Sequence, residues 1–237
     1  MKGRHRRDMK QKIEWALCDP VLQTALPRAM NSLRDRRRSA WSSPERFEKL
    51  RCQARAIKEN AIAHLDDLVA EFSKKATAAG AVVHEAQDAA EACAYVAALA
   101  RERNLRLAVK SKSMTAEEIR LNAALESAGV AVVEGDLGER IIQLSEERPS
   151  HLVVPAIHKS KEEIRRLLAE KLGEAELPEE PEGITRLMRE RLRPVFLNAG
   201  LGITGANFGV AETGSLVFVE NEGNISLTSQ LLPVHVV

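Results

Sequence analysis

Between Gly80 and Gly173, short apolar runs alternate with segments of helical periodicity, and this alternation constrains the fold more than any other feature of the chain. AVVHEA (81–86), LRLAVKS (105–111), VAVVEGD (130–136) and HLVVPA (151–156) read as strands. Between them DAAEACAYVAALARER, TAEEIRLNAALESAG and GERIIQLSEE read as helices, and SKEEIRRLLAEKLG follows the last strand. Asp88 is a candidate N-cap, and Gly129 and Gly173 are candidate helix ends. Strand alternating with helix predicts a parallel sheet with helices on its faces. The runs are continuously apolar, as expected of strands covered on both sides. Aromatics make up only 3% of residues, so the core must be built of Val, Leu, Ile and Ala.

The flanks have a different texture. The first 40 residues read as one or two short helices interrupted by Pro20 and Pro27. Ser43 and Pro44 then mark a helix start. Phe47, Leu50, Ala54, Ile57, Ala61, Leu65, Leu68 and Phe72 follow at helical spacing, which predicts one amphipathic helix to about Ala78, closed at Gly80. After the Glu- and Pro-rich linker 173–183, a helix is expected over roughly 184–197. Strand then follows strand through GITGANFGVAETGSLVFVENEGN (202–224), ISLTSQ and PVHVV, which points to antiparallel hairpins. The fold class is therefore α/β: a mostly parallel sheet with flanking helices, a helical N-terminal extension over 1–79, and an α/β domain over 80–237 with a β-rich C-terminal part. An apolar strand as the last element suggests that this domain is truncated.

Charge is unevenly spread. Residues 1–38 hold eleven Lys and Arg against four Asp and Glu, and the remainder holds 24 against 30. Such an arm could contact nucleic acid or an acidic partner, and equally the acidic body of its own chain. It carries no recognised nucleic-acid motif, so nucleic acid is not expected. Cys18, Cys52 and Cys93 share no metal-type spacing, and read as reduced cytosolic thiols. No secretory signal or membrane span is recognisable, and a cytoplasmic location is expected.

In a parallel α/β sheet, ligands bind beyond the carboxyl ends of strands. Three such ends are polar here. The first carries Lys110, Ser111, Lys112 and Ser113, with Thr115 and Glu118 in capping-box spacing. The second carries Glu134, Asp136 and Glu139. The third carries His158 and Lys159, with Ser160 and Glu163 in the same spacing. The Lys-Ser loops offer ammonium groups, hydroxyls and helix amides, which suit a carboxylate or phosphate. The simpler alternative is that they only start helices. His158 is either a general base or a satisfied loop histidine.

The Gly-rich stretch adds Asn207, Glu212, Thr213, Gly214, Ser215, Glu222 and Asn224 as a second candidate wall. Glu212 or Glu222 is placed to act as base or nucleophile. For Asn221–Asn224 the competing reading is a tight hairpin with Asn and Gly at primed-turn positions. Neither a P-loop nor a GxGxxG motif is present, so ATP and dinucleotides are poorly supported.

The ordered set VKSKSM, VVEGDLGERIIQL, RPSHLVVPAIHKS, GITGANFGVAETGSLV and NEGN resembles the LUD family, and closest its iron–sulfur member of a bacterial lactate-oxidising complex. The resemblance implies a fold related to the NagB/RpiA/CoA-transferase group. It also implies a role in oxidising L-lactate to pyruvate with two partner proteins, one cysteine-rich and one a smaller LUD protein. Family members continue into a ferredoxin-like part that holds two [4Fe–4S] clusters through CxxCxxC-type runs. None of the three cysteines here lies in such a run, so no cluster or metal is assigned to the residues present. The resemblance carries over no catalytic residue. Two other readings stay open: a stand-alone enzyme of the CoA-transferase, sugar-phosphate isomerase or cyclo-ligase kind, and an assembly module.

Overall fold

The computed structural model of the chain describes residues 2–41, 43–147, 149–150, 154–173 and 177–237, with only the backbone described over 2–8. Four helices come first: α1 (Lys2–Cys18), α2 (Pro20–Ala40), α3 (Pro44–Ala63) and α4 (Leu65–Ala78). The middle holds α5 (Ala89–Glu102), β1 (Leu107–Ser111), α6 (Met114–Glu118), α7 (Leu121–Ser127), β2 (Ala131–Glu134), α8 (Leu137–Ser145) and α9 (Lys161–Leu172). Then follow α10 (Pro181–Asn198), β3 (Leu201–Thr204), β4 (Phe208–Val210), β5 (Ser215–Val217), α11 (Asn224–Gln230) and β6 (Val234–Val236). The chain divides into two compact units. One combines the residues up to Lys49 with Ile141–Thr185, and the other combines Leu50–Arg140 with Arg186–Val237.

The second unit holds a four-stranded parallel sheet in the order β2-β1-β3-β6. The expected α/β class is found. Side-chain alternation along β1 separates two cores. Ala108 joins Val96 and Ala100 of α5, Leu121 and Leu125 of α7, and Leu201 and Ile203 of β3. Val109 points the other way, into Leu192 and Phe196 of α10 and Leu232. Covering on both faces is why Leu107–Val109 of β1 reads as an unbroken apolar run. Gly202 of β3 lets α11 lie close against the strand. A Cβ there would collide with the Thr228 carbonyl and stand 3.1 Å from Leu232 Cδ1. Gly202→Ala is expected to cost roughly 1–3 kcal/mol, as overpacking does. Urea unfolding checks this, with a lower midpoint at unchanged slope.

Several expectations need correction. Pro27 lies inside α2 without ending it, while Pro20 starts that helix behind Asp19, whose carboxylate accepts from Val21 and Leu22. The long helix is split at His64, whose Nδ1 lies 2.9 Å from the Asn60 carbonyl. Its end is as expected: Gly80 at φ +99° closes a Schellman cap through Ala81 N–H to Ala76 O and Gly80 N–H to Thr77 O. AVVHEA is not a strand. It finds no strand partner, Val82 is 84% exposed, and His84 stacks on Tyr95 instead. Of HLVVPA, residues 151–153 lie outside the described residues, and Val154 and Pro155 sit in a bend and turn.

The C-terminal part is less β-rich than the glycines suggest. Only β4 and β5 form an antiparallel hairpin. ISLTSQ is helix α11, which makes β3-α11-β6 a parallel crossover. The NEGN turn is the start of that helix: Gly223 takes φ +79°, and Glu220 accepts from the amides of Ile225 and Ser226. A carboxylate on free first-turn amides supplies the helix signal that propensity alone hides.

Candidate functional site

The carboxyl ends of β1 and β2 carry an interlocked set of charges within the second unit. Lys110 shares its orientation with Ala108, so its chain runs into the α6–α7 side of the sheet. Its side chain is 1% exposed, and its ammonium lies 3.1 Å from Glu134 and 3.5 Å from Glu117. Asn122 donates to the same Glu134 oxygen at 2.8 Å. Glu134 ends β2, directly opposite Lys110 in the register. Burial pushes its carboxyl up, and Lys110 and Asn122 pull against that shift.

Two residues further on, Lys112 adopts φ +48°, which turns its side chain out of the strand. Its ammonium contacts Asp136 and Glu222, each at 3.2 Å, and Asn221 Oδ1 at 3.3 Å. Burial lowers the Lys112 pKa and the two carboxylates raise it, leaving it above the usual lysine range. Asp136 is buried and accepts from the Gly138 amide at 2.9 Å and from Asn224 Nδ2 at 3.4 Å. Burial would push its carboxyl up. Hydrogen bonds from Glu139 and Glu222 and the Lys112 charge overcome that and hold it well below the usual range. Glu139 takes the opposite shift: burial, then Asp136, push it up to about 9. Glu222 is also pushed up, by burial and by Asp136. The set is thus a fixed anion, Asp136, flanked by two carboxyls that keep their protons more readily.

This pairing has a pH signature. Folded Glu139 keeps its proton to about pH 9, whereas an ordinary glutamate releases it near 4.5. The folded state therefore binds the extra proton across that window. The associated stability is full below 4.5 and fades as pH rises toward 9. Glu139→Gln removes this titration, and the melting temperature of the variant is expected to fall less than that of the parent between pH 5 and 9. Identical slopes from thermal scans would contradict the pairing.

The other predicted residues divide clearly. Ser111 is buried and bonds Thr228 Oγ1 at 2.7 Å, behind the charged cluster. Ser113 caps α6 by accepting from Ala116 N–H, so the expected box of Thr115 and Glu118 does not start this helix. The chain breaks again at Arg120, φ +57°, which sets Glu118 and Asn122 on different helices. Asn207 accepts from the Val219 amide and ties off the β4–β5 hairpin. Thr213 and Gly214 lie in its turn and Ser215 opens β5, with Gly214 at φ +71° against the backbone of Lys75 and Ala76. Glu212 is exposed on that turn. His158 and Lys159 belong to the first unit. There His158 bridges Ser150 Oγ at 2.6 Å and Glu147 at 2.8 Å, Lys159 holds Glu147 at 2.7 Å, and Ser160 with Glu163 forms the expected capping box. The structure thus brings together Lys110, Lys112, Asp136, Glu222 and Asn224. Glu117 and Thr228 are partners that sequence reading missed. Glu139 is one of the three carboxylates expected after β2, but the proton it shares with Asp136 is not visible in the sequence.

Among the described residues, no group of three or more His, Cys, Asp or Glu is placed to hold a metal ion, and no helix is long and apolar enough to cross a membrane. The Cys93 thiol is buried, pushed up by that burial, and donates to the Ile119 carbonyl, while Cys18 is exposed on α1. This set does not fit an iron–sulfur cluster, which requires several converging thiolates.

The model of the LUD domain matches residues 69–237. Lactate utilization protein B of Bacillus pumilus is 43% identical over 96% of this chain and 48% of its own length. An uncharacterized electron transport protein of Escherichia coli, YkgF, is 41% identical over 97% of the chain and 48% of its own length. Lactate utilization protein B of Macrococcus caseolyticus is 40% identical over 94% of the chain. The chain spans about half the length of the curated relatives it matches. No solved structure matches it. With the domain model covering most of the sequence, and the strand-end loops and Gly-rich stretch inside the matched region, the chain belongs to the LUD-domain family.

Proposed function

We propose that this chain is the LUD part of a lactate utilization protein, acting in the oxidation of L-lactate to pyruvate as one subunit of a multi-protein iron–sulfur complex. The observation that carries this reading is about 40% identity, over nearly the whole chain, to proteins named lactate utilization protein B. The oxidation releases two electrons and two protons, and the iron–sulfur carriers of the complex take the electrons. The cysteines of this chain do not fit those carriers, which on this reading lie elsewhere in the longer protein and its cysteine-rich and smaller LUD partners.

The role of this chain is to hold the small carboxylate. Lys110 is locked by Glu134 in a dry site, whereas Lys112 is 30% exposed and shares its charge with Asp136 and Glu222. Glu222 is the exchangeable partner, because it is 43% exposed and its carboxyl is already pushed toward the neutral form. A substrate carboxylate replaces it on Lys112, and Glu222 takes a proton as it leaves. Deleting the gene is expected to abolish growth on L-lactate as sole carbon source, with restoration by the full-length protein. Undiminished growth of the deletion strain would sink the reading.

One observation favours a second reading. A raised glutamate beside a lysine is also the arrangement of an enzymatic base or nucleophile. On that reading the chain alone turns over a CoA ester or sugar phosphate, and Glu222→Gln abolishes turnover.

A further inference from the structure

The two carboxylates on Lys112 differ in kind. Glu222 is 43% exposed and lies just before α11, so it can turn away. Asp136 cannot. It is 5% exposed, its Oδ1 accepts from the Gly138 amide, and its Oδ2 accepts from both the Lys112 ammonium at 3.2 Å and Asn224 Nδ2 at 3.4 Å. Glu139 and Glu222 add hydrogen bonds to the same carboxylate. With donors on both oxygens, Asp136 gains nothing by taking a proton of its own, and it stays ionised. A ligand that replaces Glu222 therefore shares the ammonium with a permanent anion. Two carboxylates on one ammonium stand about 4–6 Å apart, the range in which like charges act strongly on each other.

The neighbouring cations are committed elsewhere. Lys110 is 1% exposed and faces Glu134 and Glu117, and Arg140 acts on Glu134 as well. Glu220, which caps α11, adds a further negative charge that acts on Lys112. Lys112 itself holds φ +48°, a backbone conformation that a lysine keeps only where its surroundings impose it. The arrangement is one ammonium, fixed in aim, beside one anion that neither moves nor takes a proton near neutral pH.

We propose, resting on the carboxylate reading of Lys112, that Asp136 determines the charge selectivity of the site: a singly charged acid is accepted, and doubly charged ones, such as dicarboxylates and phosphate esters, are turned away. The first charge of a dianion pairs with Lys112, and the second finds no cation and faces Asp136. The site is thus made specific by a built-in repulsion.

Malonate and its monomethyl ester have nearly the same shape and differ by one charge. Calorimetric titration of the full-length protein with both, beside L-lactate, tests the proposal at neutral pH. The parent should bind L-lactate and the monoester, and malonate at least about tenfold more weakly. Asp136→Asn is paired with Glu139→Gln, because Glu139 ionises more readily once its neighbour's charge is gone. This double variant should strengthen malonate more than L-lactate, shifting the ratio of their affinities by at least about tenfold. A role confined to folding would weaken both ligands alike and leave the ratio where it was. If the double variant does not fold, the two malonates on the parent still decide. Malonate bound as tightly as its monoester, or a ratio unchanged in the folded double variant, overturns the proposal while the carboxylate reading stands. Binding of neither L-lactate nor the monoester by the parent overturns both.

Discussion

Lys110→Met is expected to lower the unfolding free energy by about 3–5 kcal/mol, the usual cost of removing one partner from a buried ion pair. In a chain of this size the melting temperature should fall on the order of 10 °C. The reason lies in the neighbours. Glu134 is 5% exposed, receives the Lys110 ammonium at 3.1 Å, and is already pushed toward its neutral form by burial. Without the ammonium it must take up a proton or remain an uncompensated charge. The loss should therefore be larger at pH 8 than at pH 5. Lys110→Met combined with Glu134→Gln removes both charges and should recover part of the loss, since Gln still accepts from Asn122. Chemical denaturation of the three proteins at both pH values decides this. A single variant within about 1 kcal/mol of the parent would show that the pair is not buried as described.

Lys112→Met removes the cation beside buried Asp136 and should cost some stability, but the Gly138 amide and Asn224 still hold that carboxylate and the lysine is itself 30% exposed. Its larger effect is expected on function. A charge-assisted hydrogen bond to a substrate carboxylate contributes about 1.5–3 kcal/mol. Its loss corresponds to roughly ten- to hundredfold in kcat/KM for lactate oxidation by the reconstituted complex. Unchanged kcat/KM with a folded variant would move the carboxylate site elsewhere. A collapse in melting temperature alongside lost activity would make the lysine structural.

What could be read from the sequence follows physical range. The βαβ alternation was legible because both-face burial of β1 and β2 writes itself into local composition. The strand-end polar residues were legible because chain order alone places Lys110, Lys112 and Asp136 at the ends of neighbouring strands. ISLTSQ was not legible as a helix: its β-branched residues favour a strand, and the carboxylate that caps it comes from Glu220. AVVHEA has the composition of a strand, yet no sheet edge receives it, and composition does not encode a missing partner. The inward path of Lys110 depends on strand orientation, and the proton shared by Asp136 and Glu139 depends on desolvation. Neither is visible in spacing.

On the proposed reading, Lys112 receives a small carboxylate when Glu222 gives way. Calorimetric titration of the full-length protein with L-lactate and pyruvate, compared with Lys112→Met and Glu222→Gln, tests it most directly. Binding should weaken roughly ten- to hundredfold in Lys112→Met and tighten in Glu222→Gln, where the competing carboxylate is gone. Equal affinities in all three proteins, or loss of binding in Glu222→Gln, would contradict the account.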